Sequence, residues 1–364
     1  MVCLIGRWVN YRPQPDAVPN LRRRARSYKE IRMSAHFDIA AIGNAIVDVI
    51  APAGEAFLAE HALTKGSMML IDEGRARALY AKMAPGIETS GGSAGNTVAG
   101  VASLGGRAAY IGKVADDQLG EVFAHDMRAI GAAFETAPLK GGAATGRCLV
   151  NVTPDGQRTM CTFLGAATEL AAADVAPAVI EGAAIVYLEG YLFDPPEARR
   201  AFAKAAGLAR ASGRMIALSL SDSFVVERHR KGLLEFIETE VDLLFANEAE
   251  ICALFETSDF EAAAAAVRGR CRIAALTRSE RGSVAVTMTE AHAVPAEPVD
   301  AVIDTTGAGD QYAAGFMFGL ARGRPLADCA RLGSLAAAEV ISHYGPRPQV
   351  ALADLAAARR LTPA

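Results

Sequence analysis

Downstream of residue 180 the chain repeats one pattern, a short apolar run followed by a longer helix-like stretch. "AIVYLEG" precedes "PEARRAFAKAAGLARASG", "MIALSLS" precedes "VVERHRKGLLEFIETE", and "VDLLFAN" precedes "EAEICALFE". Runs this apolar do not alternate, so they suit strands buried on both faces, and the helices between them supply the covering layers. "FDIAAIG" from Phe37, "RAAYIGKVA", "RIAALTRS" and "GSVAVTM" are further strands. "NTVAGVASLGG" spaces Val98, Val101 and Ala102 on one helical face and stops at Gly105-Gly106, a glycine cap. "DQYAAGFMFGLARG" and "LADCARLGSLAAAEVISHYG" close the chain as helices. The expected architecture is α/β, a mostly parallel sheet between two helical layers, with ligands at the carboxyl ends of its strands.

A different texture interrupts this pattern. "RCLVNVTPDGQRTMCTF" is two β-rich runs around Pro154-Asp155-Gly156, which suits a hairpin. With "SMMLID" near residue 70 it predicts a small second sheet, drawn from segments at about 50–72 and 134–167. A small sheet beside a large domain is a common way to build a lid. The main domain is expected over residues 36–364.

Charge separates the first residues from the rest. Residues 1–32 carry eight Lys or Arg against Asp16 and Glu30, a surplus of six; the whole chain has a net charge of -4, which leaves the body at -10. An acidic body excludes a nucleic-acid surface, which needs clustered cations. The proline- and arginine-rich head, residues 1–35, is expected to be a disordered extension ahead of a start at Met33. The same composition also suits an organelle transit peptide. The six cysteines are scattered without CxxC spacing, which points to a reduced, cytoplasmic protein without a zinc site. No run of about 18 apolar residues is present to span a membrane.

The chain has no GxxxxGK[ST] and no strand-linked GxGxxG, so any phosphate must be met another way. "DTTGAGDQY" is the candidate. If a helix begins near Gly309, the amides of Gly307, Ala308 and Gly309 face forward with about half a positive charge behind them. Asp310 is then either an ordinary first-turn acid or the base that deprotonates an alcohol attacking a bound phosphoryl group. Upstream, "GNAIVD" puts Asn44 and Asp48 after the first strand, where they could cap a turn or hold sugar hydroxyls. "SGGSAGNT" adds a second glycine turn before a helix, with Gly92, Ser93 and Asn96. "NEAE" offers Asn247 and Glu250 as a capping box or as a metal-organising pair.

In combination these motifs resemble the PfkB carbohydrate kinase, or ribokinase-like, family. The resemblance runs from about Phe37 to the end and rests on "GGSAGNTVAGVASLGGRAAYIGKVADDQLG" and "DTTGAGDQYAAGF". It implies Asp310 as catalytic base, Gly307, Ala308 and Gly309 as an anion hole, and ATP with Mg²⁺. It also implies Glu250 organising Mg²⁺ through water, with Asn247, Thr277, Arg278 and Gly282 at the nucleotide and His343 near its base. Asp304 matches a position that holds a monovalent cation such as K⁺ in some members. Within the family the motifs are most similar to those of adenosine kinases. That similarity gives Asn44, Asp48, Gly92, Ser93 and Asn96 sugar contacts, and Tyr191 and Phe224 base contacts. The chain departs from that group with Ala-Gly in the glycine turn and Ser-Asp-Ser before Phe224.

The resulting expectation is an ATP-dependent kinase acting on the 5′-hydroxyl of adenosine, as a monomer or homodimer. A kinase for another nucleoside or a free sugar is the alternative. A non-catalytic nucleoside sensor on this scaffold would be expected to have lost Asp310 or its glycines, and both are present.

Overall fold

The computed structural model describes residues 35–361, so the basic head lies outside the described residues except for Ala35. Among the described residues fourteen strands, numbered along the chain, form two sheets. The larger has nine, in the order β14-β13-β12-β11-β10-β9-β1-β5-β6. Its strands are β1 (Phe37–Ile42), β5 (Ala108–Ile111), β6 (Ala133–Phe134), β9 (Ala183–Glu189), β10 (Met215–Ser219), β11 (Leu243–Asn247), β12 (Ile273–Thr277), β13 (Ser283–Val286) and β14 (Ala291–Val294). All pairings from β6 to β12 are parallel, and the β12–β13 and β13–β14 pairings at one edge are antiparallel, so only β13 runs against the rest.

Every residue of β9 is buried, as expected for a strand covered on both sides. Alternate side chains divide between two cores. Ala40, Ile42, Val186 and Leu188 join one, while Ile39, Ala41, Ile185 and Tyr187 join the other. Fully burying a Leu or Ile side chain contributes roughly 1.5–3 kcal/mol, so both layers are needed to hold the sheet. β5 and β9 flank β1 on opposite sides, which makes β1 the point where chain order reverses and a crevice opens at the carboxyl ends.

The smaller sheet has the order β3-β8-β7-β2-β4. The anticipated hairpin is β7 (Thr145–Val152) and β8 (Arg158–Gly165), closed by Gly156 at φ 81°, and "SMMLID" contributes β3 (Met68–Leu70). Two members were not legible in sequence, β2 (Ile46–Pro52) and β4 (Ile87–Ser90). β2 buries Val47, Val49 and Ala51 but carries Ile46 and Ile50 on its other face, so its polarity hardly alternates. Asp48 therefore lies within a strand of the second sheet and not in a loop after β1.

Helix Ala308–Ala321 is buried from Gln311 to Ala321 and packs against helices Ser93–Ser103 and Leu326–Ile341. The five described cysteines are free thiols. Among the described residues no helix is long and apolar enough to cross a membrane.

Candidate active site

Helix Ala308–Ala321 starts at Gly307, which sits at φ 80°. A side chain there would meet both this left-handed backbone and Pro346, 2.7 Å from the added carbon. Of the three expected amide donors, Ala308 is used inside the turn, donating to the Thr305 carbonyl at 3.2 Å. The Gly307 and Gly309 amides have no acceptor among the described residues, and the space beside Gly309 is open. Two of the three expected amides, and not all three, are therefore open at this helix mouth.

Asp310 lies in the first turn. Its Oδ1 accepts from Ser93 Oγ at 2.6 Å and its Oδ2 from Asn96 Nδ2 at 3.0 Å. Ser93 and Asn96 are one turn apart at the start of helix Ser93–Ser103, so two helix N-termini converge on one carboxylate. Burial pushes the Asp310 carboxyl up, and the Ser93 and Asn96 hydrogen bonds partly oppose that by favouring the ionised form. Gly92, at φ 80°, brings the turn against the Asn44 carbonyl at a distance no side chain would permit.

Asp48 faces the same turn, its carboxyl 2.5 Å from where a Gly91 side chain would begin. Burial raises it to about 6, Arg347 and Arg158 pull it down, and Asp310 raises it again. Asn44, Asp48, Gly92, Ser93, Asn96 and Asp310 are therefore one constellation. Tyr191 lies in the short turn after β9, packed against the core, and Phe224 is 65% exposed at the start of helix Ser223–Thr239. The cap of that helix, Asp222, is within electrostatic reach of Tyr191 and Glu250.

Asn247 and Glu250 form a reciprocal capping box. Asn247 Oδ1 accepts from the Glu250 amide at 2.9 Å, and Glu250 accepts from the Asn247 amide (2.9 Å) and from Nδ2 (2.6 Å). Burial raises Glu250 to about 7, with Asp222 and Asp310 adding to it. Glu250 thus sits among like charges from Asp222 and Asp310. Those features fit a hydrated Mg²⁺, which keeps several waters and takes its other oxygens from phosphates. Thr277 lies beside Asn247 across the β11–β12 pair, and Gly282 closes the following turn at φ 80°.

Three expected contacts are engaged otherwise. Arg278 lies over the Phe260 ring at 3.9 Å and 3.6 Å from both Glu248 and Glu261, so its charge is met within the protein. The two ring nitrogens of His343 lie 3.0 Å from Glu339 Oε1 and 3.1 Å from the Tyr344 carbonyl. Asp304 accepts from the Thr306 amide and hydroxyl and from the Gly345 amide, and pairs with Arg158 at 2.7 Å. A monovalent cation does not fit there, because a guanidinium already neutralises the carboxylate.

Arg158 and Glu189 were not anticipated. Arg158 reaches from the small sheet to the Asp304 end of the turn before helix Ala308–Ala321, and its Nε is buried without a partner. Its approach to Asp304 is off the hydrogen-bond axis, so charge holds the pair. No local pattern marks it. Glu189 had a signal, an acid ending a wholly apolar strand.

Solved structures share this arrangement of elements. The crystal structure of adenosine kinase from Sinorhizobium meliloti is 52% identical, with a TM-score of 0.83 over 90% of this chain and all of that one. That of a probable sugar kinase from Rhizobium etli CFN 42 is 46% identical, with a TM-score of 0.85 over the same shares. A cytidine kinase of Thermococcus kodakarensis is 33% identical over 142 residues, 38% of this chain and 51% of that protein. The family model for pfkB family carbohydrate kinases matches residues 84–351, which include both glycine turns and Asp310. The chain therefore belongs to the pfkB family of carbohydrate kinases, phosphotransferases with an alcohol group as acceptor.

Proposed function

We propose that this kinase transfers the γ-phosphoryl group of ATP to the 5′-hydroxyl of adenosine, yielding AMP and ADP. The observation that carries the reading is the Asp310 carboxylate held by Ser93 and Asn96 beside open amides at a helix mouth. An alcohol is a weak nucleophile, and a positioned base accelerates its attack by about 10²–10⁴. The hydrogen bonds from Ser93 and Asn96 orient Asp310 and favour its ionised form, so it receives the proton as the hydroxyl attacks. The Gly307 and Gly309 amides receive charge developing on the phosphoryl oxygens, and one such donor contributes about 10²–10³. Arg158, paired with Asp304, anchors the small sheet beside that turn. Asn247 and Glu250 would hold the water shell of Mg²⁺, which when bound offsets negative charge on the phosphates.

Asp48 and Asn44 receive hydroxyls of the sugar, while Tyr191 and Phe224 provide flat apolar surface for a base. The small sheet, carrying Asp48 and Arg158, acts as a lid that keeps water from competing as acceptor. Adenosine is favoured by the resemblance to a protein titled adenosine kinase at 52% identity. Relatives named cytidine kinase and probable sugar kinase make another nucleoside or a free sugar the second reading. Turnover with ATP across adenosine, cytidine, other nucleosides and ribose decides between them. Highest kcat/KM on adenosine is expected, and activity on sugars without any on nucleosides would overturn the reading.

A further inference from the structure

Asn44 follows β1 and Glu189 ends β9, and the parallel pairing of those strands sets the two side by side at the carboxyl edge. Glu189 is 1% exposed. Its Oε1 accepts from the Asn44 amide at 3.3 Å and from Asn44 Nδ2 at 2.8 Å. Its Oε2 accepts from the Ala94 amide at 2.9 Å, in the first turn of helix Ser93–Ser103. The bare Gly43 makes room, since an added side chain would overlap Glu189 and Ala94.

An ionised carboxylate can only accept, and both Glu189 oxygens already face N–H groups. The Asn44 amide must therefore turn its NH₂ half to Glu189 and its oxygen away. That oxygen is buried without a partner, in a residue 4% exposed. Asn96 repeats the arrangement, with Nδ2 given to Asp310 and Oδ1 buried and unmatched. Unfilled buried acceptors are costly, so two of them in one pocket point to donors that arrive with a ligand.

We propose that Glu189 is a positioning residue of the acceptor pocket, fixing Asn44 with its oxygen toward the substrate so that the pocket selects for a hydroxyl at that point. The proposal rests on the reading that Asn44 touches the acceptor. A glutamine at position 189 has one acceptor oxygen for the three N–H groups that Glu189 meets, so its NH₂ must oppose either Ala94 or Asn44, and the Asn44 amide loses its fixed orientation. Exchanging both residues, Asn44→Asp with Glu189→Gln, restores an acceptor-facing oxygen with the donor and acceptor roles swapped.

The test measures kcat and KM for adenosine, 2′-deoxyadenosine, 3′-deoxyadenosine and ATP, with thermal midpoints. The proteins are the unmodified chain, Asn44→Ala, Glu189→Gln and the double exchange. Both single variants should raise the adenosine KM by about tenfold or more and narrow the preference over one deoxy analogue. The ATP KM should stay within about twofold, because Asn44 is not assigned to the nucleotide. The double exchange should recover most of the KM and the preference. Unchanged adenosine KM and preference in Asn44→Ala would remove the contact itself. A changed Asn44→Ala beside an unchanged Glu189→Gln, or a double exchange no better than Glu189→Gln, would overturn the positioning role alone. Should Glu189→Gln fail to fold, the double exchange decides: recovered selectivity supports the role, and selectivity like that of Asn44→Ala overturns it.

Discussion

Asp310 Oδ1 accepts a 2.6 Å hydrogen bond from Ser93 Oγ across 217 residues of chain. Each residue opens a helix, so the positive ends of two helix dipoles meet at one carboxylate. The dipoles and hydrogen bonds favour charge on Asp310 where burial disfavours it. A carboxylate poised in this way binds a proton more strongly than one in water, which suits a base.

Substituting Asp310→Asn should lower kcat by about 10²–10⁴ and leave acceptor affinity nearly unchanged, as measured by steady-state kinetics and calorimetry. Ser93→Ala removes one bond that favours the ionised base. The Asp310 carboxyl then rises further, so the acid limb of the kcat/KM profile should move to higher pH.

Two glycines of one turn should behave oppositely. Gly307→Ala combines a left-handed backbone with a clash against Pro346, and should destabilise by about 1–3 kcal/mol as well as impair turnover. Gly309→Ala meets nothing within 4 Å, and a first-turn alanine is a better helix former. Its thermal midpoint should hold or rise, while kcat with ATP falls because the methyl group stands in the phosphate space.

Arg158 and Asp304 form a buried pair joining the small sheet to the turn before helix Ala308–Ala321, with side chains 7% and 6% exposed. Removing one partner strands the other charge, so Arg158→Met should lower unfolding free energy by about 3–5 kcal/mol in urea titration. Adding Asp304→Asn should cost less than the sum of the single changes, the mark of a coupled pair. Added potassium should not substitute for the lost guanidinium.

Stability of the ligand-free protein should fall as pH rises from about 4 to about 7. Burial raises Asp48 to about 6 and Glu189 and Glu250 to about 7, so the native state keeps protons that the unfolded chain has released. Their contribution is complete below the unfolded values and is lost as pH passes through the native ones. Asp117, Asp155 and Asp194 are shifted the other way, so their opposing gain is complete by about pH 5. Urea midpoints between pH 5 and 8 measure the slope, and Glu250→Gln should flatten it.

Much of this was legible along the chain. Unbroken apolar runs marked β9 and β11, glycine spacing marked the helix Ser93–Ser103 stop, and "TTGAGD" marked the mouth of helix Ala308–Ala321. These features depend on neighbours a few residues apart, which sequence displays directly. β2 escaped because Ile46 and Ile50 stand on the same face as Asp48, and a strand apolar on both faces shows no period of two.

By itself the sequence determined the covered parallel sheet, the hairpin of the small sheet and the glycine turns and polar residues at the helix starts, because backbone preference and periodicity are local. Tertiary structure alone decided which of them meet. It joined Ser93 and Asn96 to Asp310, set Glu189 against Asn44, consumed the Ala308 amide within its own turn, and closed Asp304 with Arg158. Except for the turn at Ala308, those contacts span from 145 to 217 residues. They exist only because strand order brings distant termini to one edge, and no residue-by-residue preference encodes that order.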